Sequence, residues 1–409
     1  MKQLKSMITG SSNLEHFIDL NDQPNGNIFF NENEIYKEEK FSLRMSVCKD
    51  TWLVQLEEFP TPSEMFDEHP YISGYSQPVV KHFNWLSKYL ISKLNISKGS
   101  LVIDIGANDG TLLSTFKKRG MLTLGIDPGK FSGEYSKSNE VLVLRKFWNF
   151  DTAFHLKELN VKPSLITATA VFYHVPDLHE FVKGLKEVMS NETVFVCQCV
   201  YLLDVIKKLQ FDHFYHEHTC VYSVKSLIDL FNYHDMKIID INHNEIHGGS
   251  IIVEVVKNDS KKIPTGNIDK FLNIENEAGL YNIKTYHDFS KNVFQNISKL
   301  KLLLIDLKKQ GKSVYGIGAP VKGSSLLNYA EIKSDLVQKI VEVNKLKIGK
   351  VVPGVHIPII SEEEVENEPD YYIVMAWNFK DFFLEKYKKF IDGGGKLIIP
   401  NPELHIIEK

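Results

Sequence analysis

The densest chemistry in the sequence lies in the stretch QFDHFYHEHTCVYS, residues 210–223. There His213, Tyr215, His216, Glu217, His218, Cys220 and Tyr222 follow one another almost without interruption. A histidine beside a carboxylate makes a good proton acceptor near neutral pH, because free imidazole titrates at ~6.5 and a carboxylate can orient its ring. The stretch follows TVFVCQCV, an apolar run that reads as a buried strand. It is therefore expected at the carboxyl end of a sheet, where ligands bind. A solvated polar loop accounts for one histidine, but poorly for a tyrosine, two histidines and a glutamate in four residues. A metal is the competing reading. In an extended segment His216, His218 and Cys220 share a face, with Cys197 and Cys199 together on the preceding strand. His174, in AVFYHVPDL, follows another strand and is expected on the same rim.

Two glycine loops supply binding chemistry. In VIDIGANDGTLL, Gly106 and Gly110 lie between a strand and a helix, with Asn108 between them and Asp104 and Asp109 alongside. The spacing is not G-x-G-x-x-G, and the acidic residues would repel a pyrophosphate. S-adenosylmethionine (SAM) has no phosphate and carries an ammonium, so acidic flanks suit it. The next strand ends in Asp127, 21 residues beyond Gly106, where a carboxylate accepts hydrogen bonds from ribose hydroxyls. The second loop, GIGAPVKGSSLLNY, has Gly316, Gly318 and Gly323, with Lys322 opening a helix. A glycine-lined helix start with a lysine is a site for an anion such as a phosphate. The alternative is a simple turn with Lys322 solvated.

These loops need strands and helices to hold them. Residues 1–70 are turn-rich, with SSN, NDQPNGN and FPTPSE between short apolar stretches, which predicts a small β-containing domain. From HFNWLSKYLISKL onward, helical and strand patterns alternate, which predicts a doubly wound, mostly parallel sheet in an α/β domain over 71–260. The strands KIIDINH and GSIIVEVV are joined by a connection too short for a helical crossover, so they should be antiparallel. The polar stretch 257–267 marks a boundary. A long helix follows, with Phe294, Ile297, Leu300, Leu304 and Leu307 at three- and four-residue spacing. A second α/β domain then completes 261–409. With 43% apolar and 24% charged residues and a net charge of −4, nothing points to nucleic acid or a membrane as partner. The amino terminus lacks a signal-peptide core, and four cysteines in 409 residues are no disulfide framework. A cytoplasmic monomer is the expectation.

The chain resembles the sugar C-methyltransferases of deoxysugar pathways over essentially its whole length. The resemblance rests on VIDIGANDGTLL, FYHVPDL, FDHFYHEHTCVYS, IHGGS, YGIGAPVKGSSLLNY, VVPGVHIPI, AWNFKD and GGGKLIIPNPE. It implies a zinc-binding-like N-terminal domain, a middle class I SAM-binding Rossmann-like domain and a C-terminal Rossmann-like domain. A nucleotide-linked 4-keto-6-deoxy sugar would lie between the latter two. By motif it implies a catalytic group of Tyr215, Glu217, His218 and His174, with Tyr71 of HPYISG facing the substrate. His247, Lys322, Asn328 and Asn378 become substrate contacts. Two CxxC pairs of the family appear here as Ser6 and Thr9, and as Cys48 and Thr51. Three of four zinc ligands are missing, so zinc is not expected. Gln198 stands where the family has an acidic residue. The implied reaction is removal of the proton beside the ketone by His218, oriented by Glu217, then methylation of that carbon, expected to be C3. An O-methyltransferase, a nicotinamide-dependent sugar oxidoreductase and a binding protein without catalysis are the rivals.

Overall fold

The computed structural model describes residues 4–58, 61, 71–130 and 132–409. Most of FPTPSE and the expected boundary at residue 70 lie outside them. The central sheet has seven strands, in the order Met236–Asn244, Ser250–Lys257, Val194–Val200, Leu165–Thr169, Leu101–Ile105, Leu122–Ile126 and Val143–Leu144. The five from Val194 onward pair in parallel, while Ser250–Lys257 is antiparallel to both neighbours. The pair joined by the short HNEIHGG turn is thus antiparallel, as a connection of that length requires. Strand side chains alternate faces. Along LVIDI, Ile103 and Ile105 enter one apolar core and Val102 another, which makes the run nearly continuously apolar. On the Val102 side packs the helix Gln77–Lys93, burying Val79, Phe83, Leu86 and Leu90 at helical spacing.

A six-stranded sheet near the carboxyl terminus runs Ile359–Ser361, Lys339–Glu342, Val314–Ile317, Tyr371–Val374, Lys396–Ile399, His405–Ile407. It is parallel except at its last strand. The long helix Ile283–Lys309 starts at Asn282, whose side chain accepts from the amide of Lys284, and is followed by Gly311 at φ +70°. It buries Ile297, Leu300, Leu304 and Leu307, but Phe294 is 63% exposed and Val293 takes the inward position. The reason is geometric. Tyr286, Phe289, Val293, Ile297, Leu300 and Leu304 follow one stripe of 3.6-residue period, from which Phe294 is turned by about 100°.

The third sheet is antiparallel: Leu14–Pro24, Lys40–Cys48, Val54–Leu56 and Cys220–Val221. Its fourth strand is the tail of the histidine-rich segment, contributed from more than 150 residues away. The long helix packs here too, with Phe17 edge-on to Tyr286 at 5.3 Å and to Phe289 at 6.3 Å. One apolar core therefore runs from Ile8 through the central sheet to Ile398.

Candidate active site

A cavity of about 580 Å³ opens at the carboxyl end of the central sheet, within the usual size range for a small-ligand site. Gly106, Asn108, Asp127 and Tyr71 line it, with Tyr71 42% exposed at its mouth. Gly106 has φ +72°, and a Cβ there would lie 2.2 Å from Val171. Only glycine lets the loop turn this close to the neighbouring strand end. Asp127 accepts from the amides of Asn108 (2.9 Å) and Gly129 (2.8 Å), which ties the first loop to the second strand. Asn108 in turn donates to the Tyr71 carbonyl at 2.9 Å and accepts from the Ser73 amide at 3.0 Å.

Asp104 and Asp109 are placed differently from their expected role as cavity residues. Asp104 lies beneath the loop, accepts from the Thr167 hydroxyl at 2.6 Å, and is pushed up by burial to about 7. Asp109 accepts from the amide and hydroxyl of Thr111 (3.1 and 2.8 Å) and from the Gly74 amide at 2.9 Å. Asp109 is spent on closing the loop and Asp104 on a hydroxyl of the neighbouring strand, because each sits where a backbone or hydroxyl donor needs an acceptor. The cavity also has walls that loop motifs could not reveal: Phe147, Trp148 and Glu180. The aromatic pair in KFWNF, just after a strand, was the available signal.

The histidine segment turns rather than extends. The amide of His218 donates to the Tyr215 carbonyl at 2.8 Å, which closes a β-turn over YHEH. The turn brings its first and last side chains together, with ring centroids 3.9 Å apart for Tyr215 and His218. Tyr173 and His174 complete the group at 4.5 and 5.0 Å from His218. His218 Nδ1 faces the main-chain carbonyl of His213 at 2.7 Å. A carbonyl only accepts, so the network assigns the proton to Nδ1 and the lone pair to Nε2. Burial, then the neighbouring His174, His213 and Lys322, push His218 well below the usual imidazole range. Burial and Glu217 push Tyr215 well above the phenol range, so it stays a donor.

Glu217 does not play the orienting role expected of it. It occupies the outer corner of the turn, and its Oε1 accepts from Asn27 Nδ2 of the N-terminal segment. The group that holds His218 is the His213 carbonyl. His216 points to the opposite side, its Nε2 3.2 Å from the Phe41 carbonyl. The extended-segment geometry of the metal reading is therefore absent. Among the described residues no group of three or more His, Cys, Asp or Glu side chains could hold a metal ion. Asn27 was missed by sequence reasoning, since PNGN reads as a turn and nothing local links it to residue 217.

Of the group's members, His174 lines the cavity, as does His247, which sits in a tight turn at φ +60°. Lys322 reaches the back of this turn, its Nζ 3.3 Å from the His247 carbonyl and 2.7 Å from His213 Nε2. Asn378, half-buried, follows Trp377 on a turn packed against that of His247. Asn328 is not free for a substrate contact. Its Nδ2 donates to the carbonyls of Ser324 and Pro353, both at 2.9 Å. Gln198 is buried, its Oε1 2.7 Å from His82 Nε2.

At the zinc-ligand positions of the N-terminal sheet, hydroxyls now close the turns. Ser6 Oγ accepts from the amides of Ile8 and Thr9, at 3.4 and 3.3 Å, and Thr51 Oγ1 accepts from Leu53 at 3.4 Å. Cys48 is a free buried thiol.

Three family models match in succession: a putative zinc binding domain over 7–66, a methyltransferase domain over 84–241, and a C-methyltransferase C-terminal domain over 245–402. C-methyltransferase NovU of Streptomyces niveus is 28% identical over 383 residues, covering 93% of this chain and 91% of that protein. Among solved structures, magnesium protoporphyrin IX methyltransferase from Synechocystis PCC 6803 with bound SAM is 15% identical. The match covers 44% of this chain and 79% of that one, with a TM-score of 0.33. A Haloferax volcanii putative methyltransferase in complex with its Trm112 activator is 12% identical, covering 45% and 94%, with a TM-score of 0.36. With methyltransferase and C-methyltransferase models matched in order and a relative aligned over nearly its whole length, the chain is a SAM-dependent C-methyltransferase with a class I α/β Rossmann-like fold.

Proposed function

We propose that the protein methylates a carbon beside the ketone of a nucleotide-linked 4-keto-deoxysugar, taken to be C3, with His218 as the base. The observation that carries this reading is the bare Nε2 of a neutral, buried His218, grouped with Tyr215 and His174 beside the cavity. The central cavity takes SAM, with Asp127 toward the ribose, Gly106 and Asn108 under the amino acid end, and Phe147 and Trp148 beside the adenine. SAM supplies an electrophilic methyl carbon. The rest is the work of the chain. His218 accepts the α-proton. Tyr215 or His174 donates to the oxygen on which charge develops, often the largest catalytic contribution. Tyr71 and His247 border the space for the sugar, while Lys322 and Asn378 belong to the sugar-nucleotide side. The working division is 1–70, 71–260 and 261–409.

A second reading makes His174 the base, because it lines the cavity while His218 stands behind it. One experiment separates them. With an inert SAM analogue in deuterated water, the enzyme should exchange the substrate's α-hydrogen, read by NMR. His218→Asn should lower that rate by ~10²–10⁴. Full exchange in His218→Asn, with loss in His174→Asn, would reverse the assignment. The pH profile follows from the depressed imidazole. The base must be neutral, and its pKa lies well below 6.5, so the acid limb of kcat/KM should fall below pH 6.5. A limb centred above 6.5 would contradict it.

A further inference from the structure

Two buried side chains of the histidine segment have no part in the chemistry above: those of Asp212 and His213, each residue 1% exposed. Both face the C-terminal sheet. Asp212 Oδ2 accepts from Trp377 Nε1 at 2.6 Å. His213 Nε2 lies 2.7 Å from Lys322 Nζ and 2.9 Å from the His247 carbonyl, with Lys322 itself 3.3 Å from that carbonyl. Lys322 and the His247 turn thus hold the ring by its Nε2 edge, while the buried Nδ1 has no partner among the described residues. A buried nitrogen left without a partner asks for a reason.

The other end of the same residue supplies it. The His213 main-chain carbonyl is the acceptor for His218 Nδ1. The His213 ring is stacked on His218 at 5.7 Å between centroids, while its edge is held by Lys322 and the His247 turn. We propose that His213 is a positioning residue: anchored from the C-terminal sheet by Lys322, it presents its carbonyl to His218 and fixes the Nδ1–H tautomer, keeping Nε2 bare. The opposite tautomer would put the proton on the nitrogen that must accept one. This inference rests on His218 being the base, and it ties readiness of the base to the seating of the C-terminal sheet.

The test uses full-length protein with ¹⁵N-labelled histidine, the His218 signals being assigned by their loss in His218→Asn. In the wild type His218 should show one protonated Nδ1 and one unprotonated Nε2. His213→Leu removes the anchor but keeps the carbonyl, so His218 should become a tautomer mixture. Substrate α-hydrogen exchange should then fall at least roughly tenfold, since a wrong tautomer disables the base, with SAM affinity unchanged. His213→Gln, whose amide can both accept from Lys322 and donate to the His247 carbonyl, should restore both. An unaltered His218 tautomer with exchange within twofold of wild type in His213→Leu overturns the proposal. Should that variant fail to bind SAM, Lys322→Met decides by the same spectrum, and an unshifted Nδ1–H tautomer there overturns it. Failure of the base assignment looks different: His218→Asn would exchange normally while the tautomer measurements stood.

Discussion

The central and C-terminal sheets each contain the same corner, and only one of them is open. In both, a parallel strand runs into a glycine loop, a helix follows, and the neighbouring strand ends in a carboxylate. Asp127 accepts from the amides of Asn108 and Gly129. Glu342 does the same for Ala319 (2.7 Å) and for Val343 and Asn344 (2.7 and 3.0 Å). At the first corner lies the 580 Å³ cavity, whereas the space beside Gly318 and Ala319 is about 10 Å³. The difference is filling. Phe29 of the N-terminal segment packs against the second loop, with the buried Lys347 Nζ 4.9 Å over its ring and donating to the Ala319 carbonyl at 2.8 Å. A strand-end carboxylate with a glycine loop is thus a way of closing a βα turn. It becomes a ligand site only where the tertiary structure leaves room.

Five substitutions press on this contrast. Phe29→Ala should have the largest effect, a loss of roughly 3–5 kcal/mol for a buried phenylalanine, measured by denaturant unfolding, with SAM affinity unchanged. A loss under about 1 kcal/mol would mean that the corner is closed by something else. Next come the paired glycines. Gly106→Ala meets Val171 in addition to its left-handed backbone, and should cost about 2–5 kcal/mol and SAM binding with it. At Gly318, φ +80°, the nearest atom to a new Cβ is 3.7 Å away. Gly318→Ala should cost only the backbone strain, about 1–2 kcal/mol. Equal losses would erase the distinction. The smallest contrast is between the carboxylates. Asp127→Ala should weaken SAM binding by roughly 1.5–3 kcal/mol, about 10- to 150-fold by calorimetry. Glu342→Ala should reduce stability and leave SAM affinity alone. A SAM defect in Glu342→Ala would give the second corner a binding role.

Much of the scaffold was legible in the sequence because it depends on local rules. A short apolar run gave away LVIDI, a 3.6-residue period gave away the long helix, and a seven-residue connection could only join antiparallel strands. Phe294 shows the limit, since a three-residue step and a four-residue step from a neighbour suggest slightly different stripes. The active-site residues were legible as a group of types, but not as a set of contacts. YHEH read as an extended segment would have placed His216 with His218, whereas the β-turn pairs Tyr215 with His218 and sends Glu217 toward Asn27.

The sequence alone determined which stretches are strands and helices, where glycines must sit, and that an imidazole-rich loop crowns the central sheet. Each of these follows from backbone sterics and the periodic burial of apolar side chains within a few residues. Only the tertiary structure decided that a main-chain carbonyl rather than Glu217 holds His218, that Cys220–Val221 completes the N-terminal sheet, and that Phe29 fills the second corner. Those outcomes depend on which buried donors, acceptors and apolar surfaces meet across hundreds of residues, and no local pattern encodes a meeting of that kind.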